Sequence, residues 1–116
     1  MDWFKLVTSS MPWGAKPRHP RWRSTSNAWL AKQPECAACG SKKGCVVHHK
    51  VPVSVDASLE LSESNFITMC DDCHLFLAHL GAWTRFNPHI DIDANTYKLR
   101  LQQWSEYNSR KQEITP

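Results

Sequence analysis

The sequence predicts a small α+β domain built around a cysteine-bound metal, with one helix before the metal site and another after it. Two Cys-x-x-Cys pairs, Cys36 with Cys39 and Cys70 with Cys73, place both sulfurs of each pair within reach of one ion. A β-branched run over residues 45–48 predicts a strand between them. A chain of 116 residues buries limited apolar surface, so a metal would help to stabilise it.

The N-terminal region predicts an irregular basic arm followed by a helix. We expect the arm over residues 1–20 and a single domain over residues 21–116. A helix is predicted over residues 21–33, where Pro34 ends it. The residues that interrupt regular structure in the arm are Pro12, Gly14, Pro17 and Pro20. The residues expected on the buried side of the helix are Trp22, Trp29 and Leu30.

The cysteines predict a tetrahedral zinc site rather than disulfides. Five cysteines, an odd number that includes two Cys-x-x-Cys pairs, are typical of metal binding in a reducing compartment. Residues 36–40 have the pattern of a zinc knuckle, in which Gly40 lets the backbone fold back. An iron–sulfur cluster would use the same ligands and is the alternative. The remaining Cys45 is expected to pack as a small apolar residue.

A long connection and a helix are predicted to follow the first strand. Residues 50–65 are long for a structureless loop in so small a domain, which indicates a functional role. A helix is expected over residues 71–80, with two aspartates at its positive N-terminal end. Gly81 is expected to stop this helix.

The C-terminal region predicts a loop and then the longest helix. We expect the loop over residues 88–93 and the helix over residues 94–111. Three apolar residues of this helix recur at the spacing of a buried stripe, namely Tyr97, Leu101 and Trp104. Core packing is the expected role of Trp104, as it is for Trp22 and Trp29.

Charge is divided unevenly along the chain. Residues 1–50 contain nine Lys/Arg against two acidic residues, whereas residues 51–116 contain five Lys/Arg against nine acidic residues. A basic half of this kind is typical of a surface that binds a polyanion, although a solvated basic face without a ligand is the alternative. The candidate contacts to nucleic acid are Arg18, Arg21, Arg23, Lys50 and Arg85.

Two absences in the sequence bear on where the protein works. Residues 1–8 contain no apolar run long enough for a signal peptide. No stretch approaches the ~20 apolar residues that a membrane span requires. We therefore expect a cytoplasmic protein with no membrane partner.

Four further polar residues stand beside the cysteine pairs, namely His48, His49, Asn65 and His74. Together with the cysteines they resemble the HNH endonucleases, and Asn65 precedes His74 by nine positions, a separation typical of that family. The resemblance spans residues 36–80. It implies a ββα-metal (His-Me finger) core, in which a hairpin and a helix hold a divalent ion on a four-cysteine zinc scaffold.

The resemblance also implies a role for each polar residue. His49 would be the general base, because a neutral imidazole with a pKa near ~6.5 accepts a proton from water at neutral pH. Side chains alternate along a strand, so His48 would face the other way and bind the catalytic ion together with His74. Asn65 would either bind the ion or brace the loop. His79 lies five positions after His74, about 140° around an α-helix, so we expect it beside the ion rather than on it.

The function implied is metal-dependent hydrolysis of DNA, with double-stranded DNA as the expected partner. The ion could be Mg²⁺, Mn²⁺, Ni²⁺ or Zn²⁺, because imidazole ligands suit several of these metals. The family resemblance suggests a phage or bacterial setting such as packaging or defence. The main alternative is a non-catalytic zinc module that binds nucleic acid or protein. An RNA-directed nuclease and an inactive subunit of a larger machine are further alternatives.

Overall fold

The computed structural model describes residues 18–114, with side chains described up to residue 111. Most of the arm predicted over residues 1–20 therefore lies outside the described residues. The elements form a small α+β fold with one two-stranded antiparallel sheet, which confirms the predicted class. In chain order they are α1 Trp22–Lys32, β1 Cys45–His49, β2 Phe66–Cys70, α2 Asp71–Cys73, a π-helical turn His74–Ala78, and α3 Ile90–Ile114.

Helix α1 lies against the sheet through its two tryptophans. The Trp22 ring lies 5.5 Å from the Phe66 ring, and the Trp29 ring lies 5.7 Å from the same ring, both nearly perpendicular to it. The Trp29 indole N–H donates to Thr68 Oγ1 at 2.9 Å, and the Thr68 hydroxyl donates to the Gln33 carbonyl at 2.7 Å. Both tryptophans and Leu30 are half-buried, so the predicted inner side of the helix is confirmed.

The two strands pair in a register that aligns the metal-binding residues. Cys45 lies opposite Cys70 at one end, and His49 lies opposite Phe66 at the other end. Every residue of β2 is buried, whereas in β1 only His48 and His49 are. The register therefore places the second cysteine pair near the knuckle and both histidines at the opposite end of β1.

The connection between the strands is ordered by short turns rather than being structureless. It contains two 3₁₀ turns, Ala57–Leu59 and Glu63–Asn65. Its ends meet where the Lys50 N–H donates to the Asn65 carbonyl at 2.9 Å. This closure returns the chain directly from β1 into β2.

The helix predicted over residues 71–80 is α-helical only for Asp71–Cys73, and this corrects the prediction. The chain then widens into the π-helical turn His74–Ala78, where the His79 N–H donates to the His74 carbonyl at 3.0 Å. The segment ends near Gly81, whose φ of +85° is left-handed, as expected for a stop. Hydrophobic periodicity does not distinguish an α turn from a π turn that holds one extra residue.

The loop predicted over residues 88–93 is also corrected, since α3 begins at Ile90. The Asn87 side-chain oxygen accepts the His89 N–H at 2.8 Å, which stabilises the turn that starts the helix. Asp91 and Asp93 lie in the first turn, where carboxylates interact favourably with the helix dipole.

The core position predicted for Trp104 is wrong, because its side chain is 59% exposed. Ile90 and Ala94 at the start of α3 are buried. Beyond Ala94 the described side chains of the helix are exposed, apart from the half-buried Asn108. The apolar stripe continues along the exposed part of α3, where no described residue covers it. Periodicity alone therefore overestimated the burial of this helix. Within residues 18–114, no helix combines the length and the apolar character that crossing a membrane requires.

Candidate active site

The four predicted cysteine ligands converge on one point. The sulfurs of Cys36, Cys39, Cys70 and Cys73 all lie within 4.8 Å of one another, and the Cys39 and Cys70 sulfurs are 3.5 Å apart. In a tetrahedral site with Zn–S bonds of about 2.3 Å, neighbouring sulfurs would be roughly 3.8 Å apart. All five cysteines are free thiols. The cluster is therefore compatible with a structural zinc ion.

Backbone hydrogen bonds shape the first cysteine pair and favour the thiolate form of Cys36. The Gly40 N–H donates to the Cys36 carbonyl at 2.9 Å, which closes the predicted knuckle, and Gly40 has a left-handed φ of +78°. Burial raises the pKa of Cys36, but hydrogen bonds from the backbone outweigh it and lower the pKa to about 7. Burial and the neighbouring Cys70 thiol raise the pKa of Cys73. A dication would stabilise all four groups as thiolates, which the thiols cannot achieve among themselves.

The two adjacent histidines of β1 face opposite sides of the strand, as predicted. The His48 ring lies 5.1 Å from the His74 ring and 4.9 Å from the His79 ring. The His49 ring lies on the α1 side, 4.5 Å from the ring of Trp22. Strand alternation therefore separates a histidine cluster from a single histidine.

The histidine cluster consists of His48, His74 and His79, each offering one nitrogen within 4.8 Å of the others. The Nε2 atoms of His74 and His79 are 3.1 Å apart. Two nitrogens that each bind one ion at about 2.1 Å would be roughly 3.0 Å apart at a right angle and roughly 3.4 Å apart in a tetrahedron. His48 Nε2 is buried and has no hydrogen-bond partner among the described residues. A buried polar atom without a partner is costly, so this cluster fits a metal ion.

The inclusion of His79 corrects the expectation that His74 and His79 diverge. That expectation assumed an α-helix, whereas the π-helical turn brings residues five apart onto one side. The Arg85 carbonyl accepts a hydrogen bond at 2.6 Å from His79 Nδ1, so the proton lies on Nδ1. The lone pair of His79 Nε2 is thereby directed at the cluster, in the way that carbonyl partners orient metal-binding histidines.

The pKa values of His48 and His74 favour neutral rings. Burial, followed by the nearby His74, His79 and His49, lowers the pKa of His48 to about 3. Burial and His79 lower the pKa of His74 to about 4, with Asp71 opposing them. Neutral imidazole is the form that binds metals, so both rings are available as ligands at neutral pH.

His49 has a tautomer fixed by its two partners. Its Nε2 lies 2.8 Å from the Glu60 carbonyl, which can only accept, so Nε2 carries the proton. Its Nδ1 lies 3.5 Å from Arg18 Nη1, a group that can only donate. Burial lowers the pKa of His49, while the Glu60 carbonyl opposes the shift. His49 is therefore a neutral ring with a basic lone pair on Nδ1.

Asn65 uses both ends of its amide on the backbone of the connection. Its Oδ1 accepts the Val51 N–H at 2.8 Å, and its Nδ2 donates to the Val51 carbonyl at 3.0 Å and to the Leu59 carbonyl at 3.5 Å. The side chain is buried and lies outside the histidine cluster. Of the two roles that the sequence left open, these contacts favour bracing the loop that carries Glu60.

The basic residues that the sequence predicts to contact nucleic acid lie in different environments. Arg18, Arg21 and Arg23 are exposed at or near the start of α1. Lys50 instead pairs with Asp91 at 3.1 Å. Arg85 has an exposed side chain, and its backbone carbonyl orients His79.

Two residues near the cluster were not expected from the sequence. The Trp83 ring lies 5.0 Å from the His74 ring and 4.9 Å from the His79 ring. Asn87 is buried, and its Nδ2 donates to the Leu77 carbonyl at 3.1 Å. It thereby holds the turn after the π-helical segment against that segment. Neither lies in a recognisable motif, so no local signal in the sequence could have found them.

The fold and the two clusters define a small protein of the ββα-metal class. Residues 36–76 match the HNH endonuclease family, and this match confirms the resemblance noted in the sequence. The matched segment contains the four cysteines and the predicted site residues His48, His49, Asn65 and His74. This match over residues 36–76 supports a nuclease as the general kind of protein. Comparisons with curated proteins and with solved structures found no match.

Proposed function

We propose that this protein is a metal-dependent endonuclease that hydrolyses DNA, with His49 as its general base. The observation that carries the proposal is the arrangement on β1. His48 joins a three-histidine cluster, while the next residue presents a basic nitrogen on the other side of the strand. The family match of residues 36–76 supports the same chemistry.

His49 performs the proton transfer in this proposal. The Glu60 carbonyl holds the Nε2 proton, so Nδ1 is the atom that takes a proton from the attacking water. Asn65 keeps the loop that carries Glu60 in place through its contacts with Val51 and Leu59. The base is therefore oriented before substrate arrives, which reduces the reorganisation needed during the reaction.

The histidine cluster is proposed as the catalytic metal site, with His48, His74 and His79 as ligands. A divalent ion bound there would stabilise the negative charge that develops on the phosphate and on the leaving oxygen. The donor set admits Mg²⁺, Mn²⁺, Ni²⁺ or Zn²⁺, and imidazole nitrogens favour the transition metals among them. The cysteine cluster would hold a separate zinc ion with a structural role.

Duplex DNA in the cytoplasm of a bacterial or phage-infected cell is the proposed setting. Arg18 beside His49 and the exposed Arg21 and Arg23 of the α1 region support a polyanionic substrate, and free thiols in a zinc site support a reducing compartment. As in the family that it resembles, cleavage would leave 5′-phosphate and 3′-hydroxyl ends. A role in phage packaging or in defence is part of this proposal.

Nicking of supercoiled plasmid tests the proposal. Zinc-loaded protein is incubated with Mg²⁺, Mn²⁺, Ni²⁺ or EDTA, beside the variants His49→Ala and His89→Ala. We expect cleavage that depends on the metal and falls by about 10²–10⁴-fold in His49→Ala, the usual contribution of a general base. His89 is exposed and lies outside the cluster, so His89→Ala should retain wild-type activity.

Two outcomes would contradict the proposal. Equal cleavage by His49→Ala and wild type would remove His49 as the base. Absence of cleavage with every metal, from protein that is folded and zinc-loaded, would favour the non-catalytic zinc module. Competition between duplex DNA and RNA in the same assay would identify an RNA-directed nuclease.

A further inference from the structure

Arg18 contacts the basic nitrogen of His49 from outside the HNH segment. Its Nη1 lies 3.5 Å from His49 Nδ1, and its guanidinium lies 4.9 Å from the centroid of the Trp22 ring. The Trp22 ring in turn lies 4.5 Å from the His49 ring. Arg18 is exposed, whereas His49 is only 7% exposed. The guanidinium therefore stands on the solvent side of the buried base.

The segment that carries Arg18 is attached to the loop that orients the base. The His19 N–H donates to a Glu60 carboxylate oxygen at 2.9 Å, and the Glu60 carbonyl holds His49 Nε2. The Arg21 N–H donates to His19 Nδ1 at 3.0 Å, which fixes the turn into α1. Arg18 is thus placed by contacts to the same residue that fixes the tautomer of His49.

Phosphate is a better hydrogen-bond partner for Arg18 than the imidazole of His49. A guanidinium is a permanent cation that donates in a planar fork, which matches phosphate oxygens far better than a single imidazole nitrogen. A water held by His49 Nδ1 would lie about 2.6–3.2 Å from that nitrogen, and in the attacking geometry the phosphorus lies about 3–3.5 Å from the water. The non-bridging oxygens of that phosphate then fall within reach of Arg18.

We propose that Arg18 binds a non-bridging oxygen of the scissile phosphate and releases His49 Nδ1 when it does so. This inference rests on the nuclease function proposed above. In the free protein Arg18 faces the lone pair that the attacking water needs. With substrate bound, the phosphate takes over the guanidinium, so the base becomes available only beside its substrate. Arg18 is then a catalytic residue rather than one of several contacts along the DNA backbone.

Within residues 18–114, the other cations predicted near the nucleic acid have no contact with His49 like that of Arg18. Lys50 is paired with Asp91. Arg21 and Arg23 are exposed, and no described contact joins either side chain to His49. They remain candidates for general attraction of the DNA backbone, an effect that depends on salt and acts mainly on affinity. This difference provides a matched control for the test.

The test compares Arg18→Ala, Arg18→Lys and Arg21→Ala by single-turnover plasmid nicking over a range of protein concentrations. The dependence on protein concentration separates the maximal rate constant from apparent affinity. We expect Arg18→Ala to lower the maximal rate constant by roughly 10²–10³-fold, the usual effect of removing one donor to the charge that develops during reaction. Arg18→Lys should recover part of this loss. Arg21→Ala should weaken only the apparent affinity, increasingly so at higher salt.

Two results would overturn the inference while leaving the proposed function intact. One is a maximal rate constant of Arg18→Ala that equals or exceeds the wild-type value. The other is an equal loss in Arg18→Ala and Arg21→Ala that is confined to affinity. Zinc content and thermal unfolding, measured for every variant, confirm that the fold is preserved. If wild-type protein itself does not nick, the proposed function fails, and that failure is visible before any variant is compared.

Discussion

At the scale of single residues, hydrogen-bond partners decide what each polar side chain can do. His49 and His79 illustrate this, since each is held by one backbone carbonyl through one ring nitrogen. In His49 the carbonyl binds Nε2 and leaves Nδ1 basic, whereas in His79 the carbonyl binds Nδ1 and leaves Nε2 for the cluster. The same residue type is thus prepared for proton transfer in one place and for metal binding in another.

Asn65 provides the prediction at this scale. Because the partners of its amide among the described residues all lie in the connection, Asn65→Ala should leave metal affinity at the histidine cluster unchanged. It should lower stability by about 1–3 kcal/mol, since it leaves backbone groups of the buried loop unpaired. We also expect slower nicking, because the carbonyl of Glu60 would no longer be held in register with His49.

Calorimetric titration of zinc-loaded protein with Ni²⁺ measures the metal affinity of the histidine cluster directly. His74→Ala is the comparison, since it removes a proposed ligand. An affinity loss in Asn65→Ala as large as that in His74→Ala would show that the amide binds the ion. Nicking assays then compare Asn65→Ala, in which the base is misoriented, with His74→Ala, in which a metal ligand is missing.

At the scale of secondary-structure elements, the π-helical turn determines the composition of the histidine cluster. It places His79 one turn from His74 although the two are five positions apart. The Phe76 side chain, in the middle of this turn, is 66% exposed. A π turn of this kind corresponds to an α-helix with one inserted residue.

Deletion of Phe76 is therefore expected to be tolerated. The shortened turn would become α-helical, and the two histidines would become an i, i+4 pair, which also shares one face of an α-helix. Ni²⁺ affinity should change by less than the roughly tenfold that loss of an orienting partner costs. A second deletion variant that also carries His79→Ala should bind markedly more weakly. Loss of Ni²⁺ binding in the single deletion, with zinc retained, would mean that the π geometry itself is required.

The elements also show which parts of the fold the sequence could predict. Cysteine spacing, the β-branched run of β1 and the tryptophan pattern of α1 are local signals, and the structure confirms each of them. The start of α3 was missed because the turn before it is stabilised by the side chain of Asn87, whose role depends on the surrounding fold. His79 was missed because periodicity cannot reveal one extra residue within a turn. The family match extends only to residue 76, so it does not reach His79 either.

At the scale of the whole molecule, the cysteine cluster forms a large part of the interior. Ten apolar residues are buried among those described, and three of them are cysteines of the proposed zinc site. The remaining core is small, with Met69 and Ile90 as its largest fully buried side chains. Domains with so little apolar burial generally need a metal or a covalent link to stay folded.

Removal of zinc should accordingly unfold the domain. Structural zinc contributes about 10–16 kcal/mol of apparent binding free energy in small zinc domains, which matches or exceeds the roughly 5–15 kcal/mol by which typical domains are stable. We expect a chelator, or Cys36→Ser, to abolish cooperative thermal unfolding measured by circular dichroism. Cys45→Ser is the matched control, because the Cys45 thiol lies outside the cluster and contacts the Ser41 carbonyl at 3.0 Å. A serine hydroxyl can retain that hydrogen bond, so Cys45→Ser should keep one zinc per chain at the cysteine cluster and a near-wild-type melting temperature. Cooperative unfolding of the metal-free protein at an unchanged temperature would instead mean that the apolar core alone holds the fold.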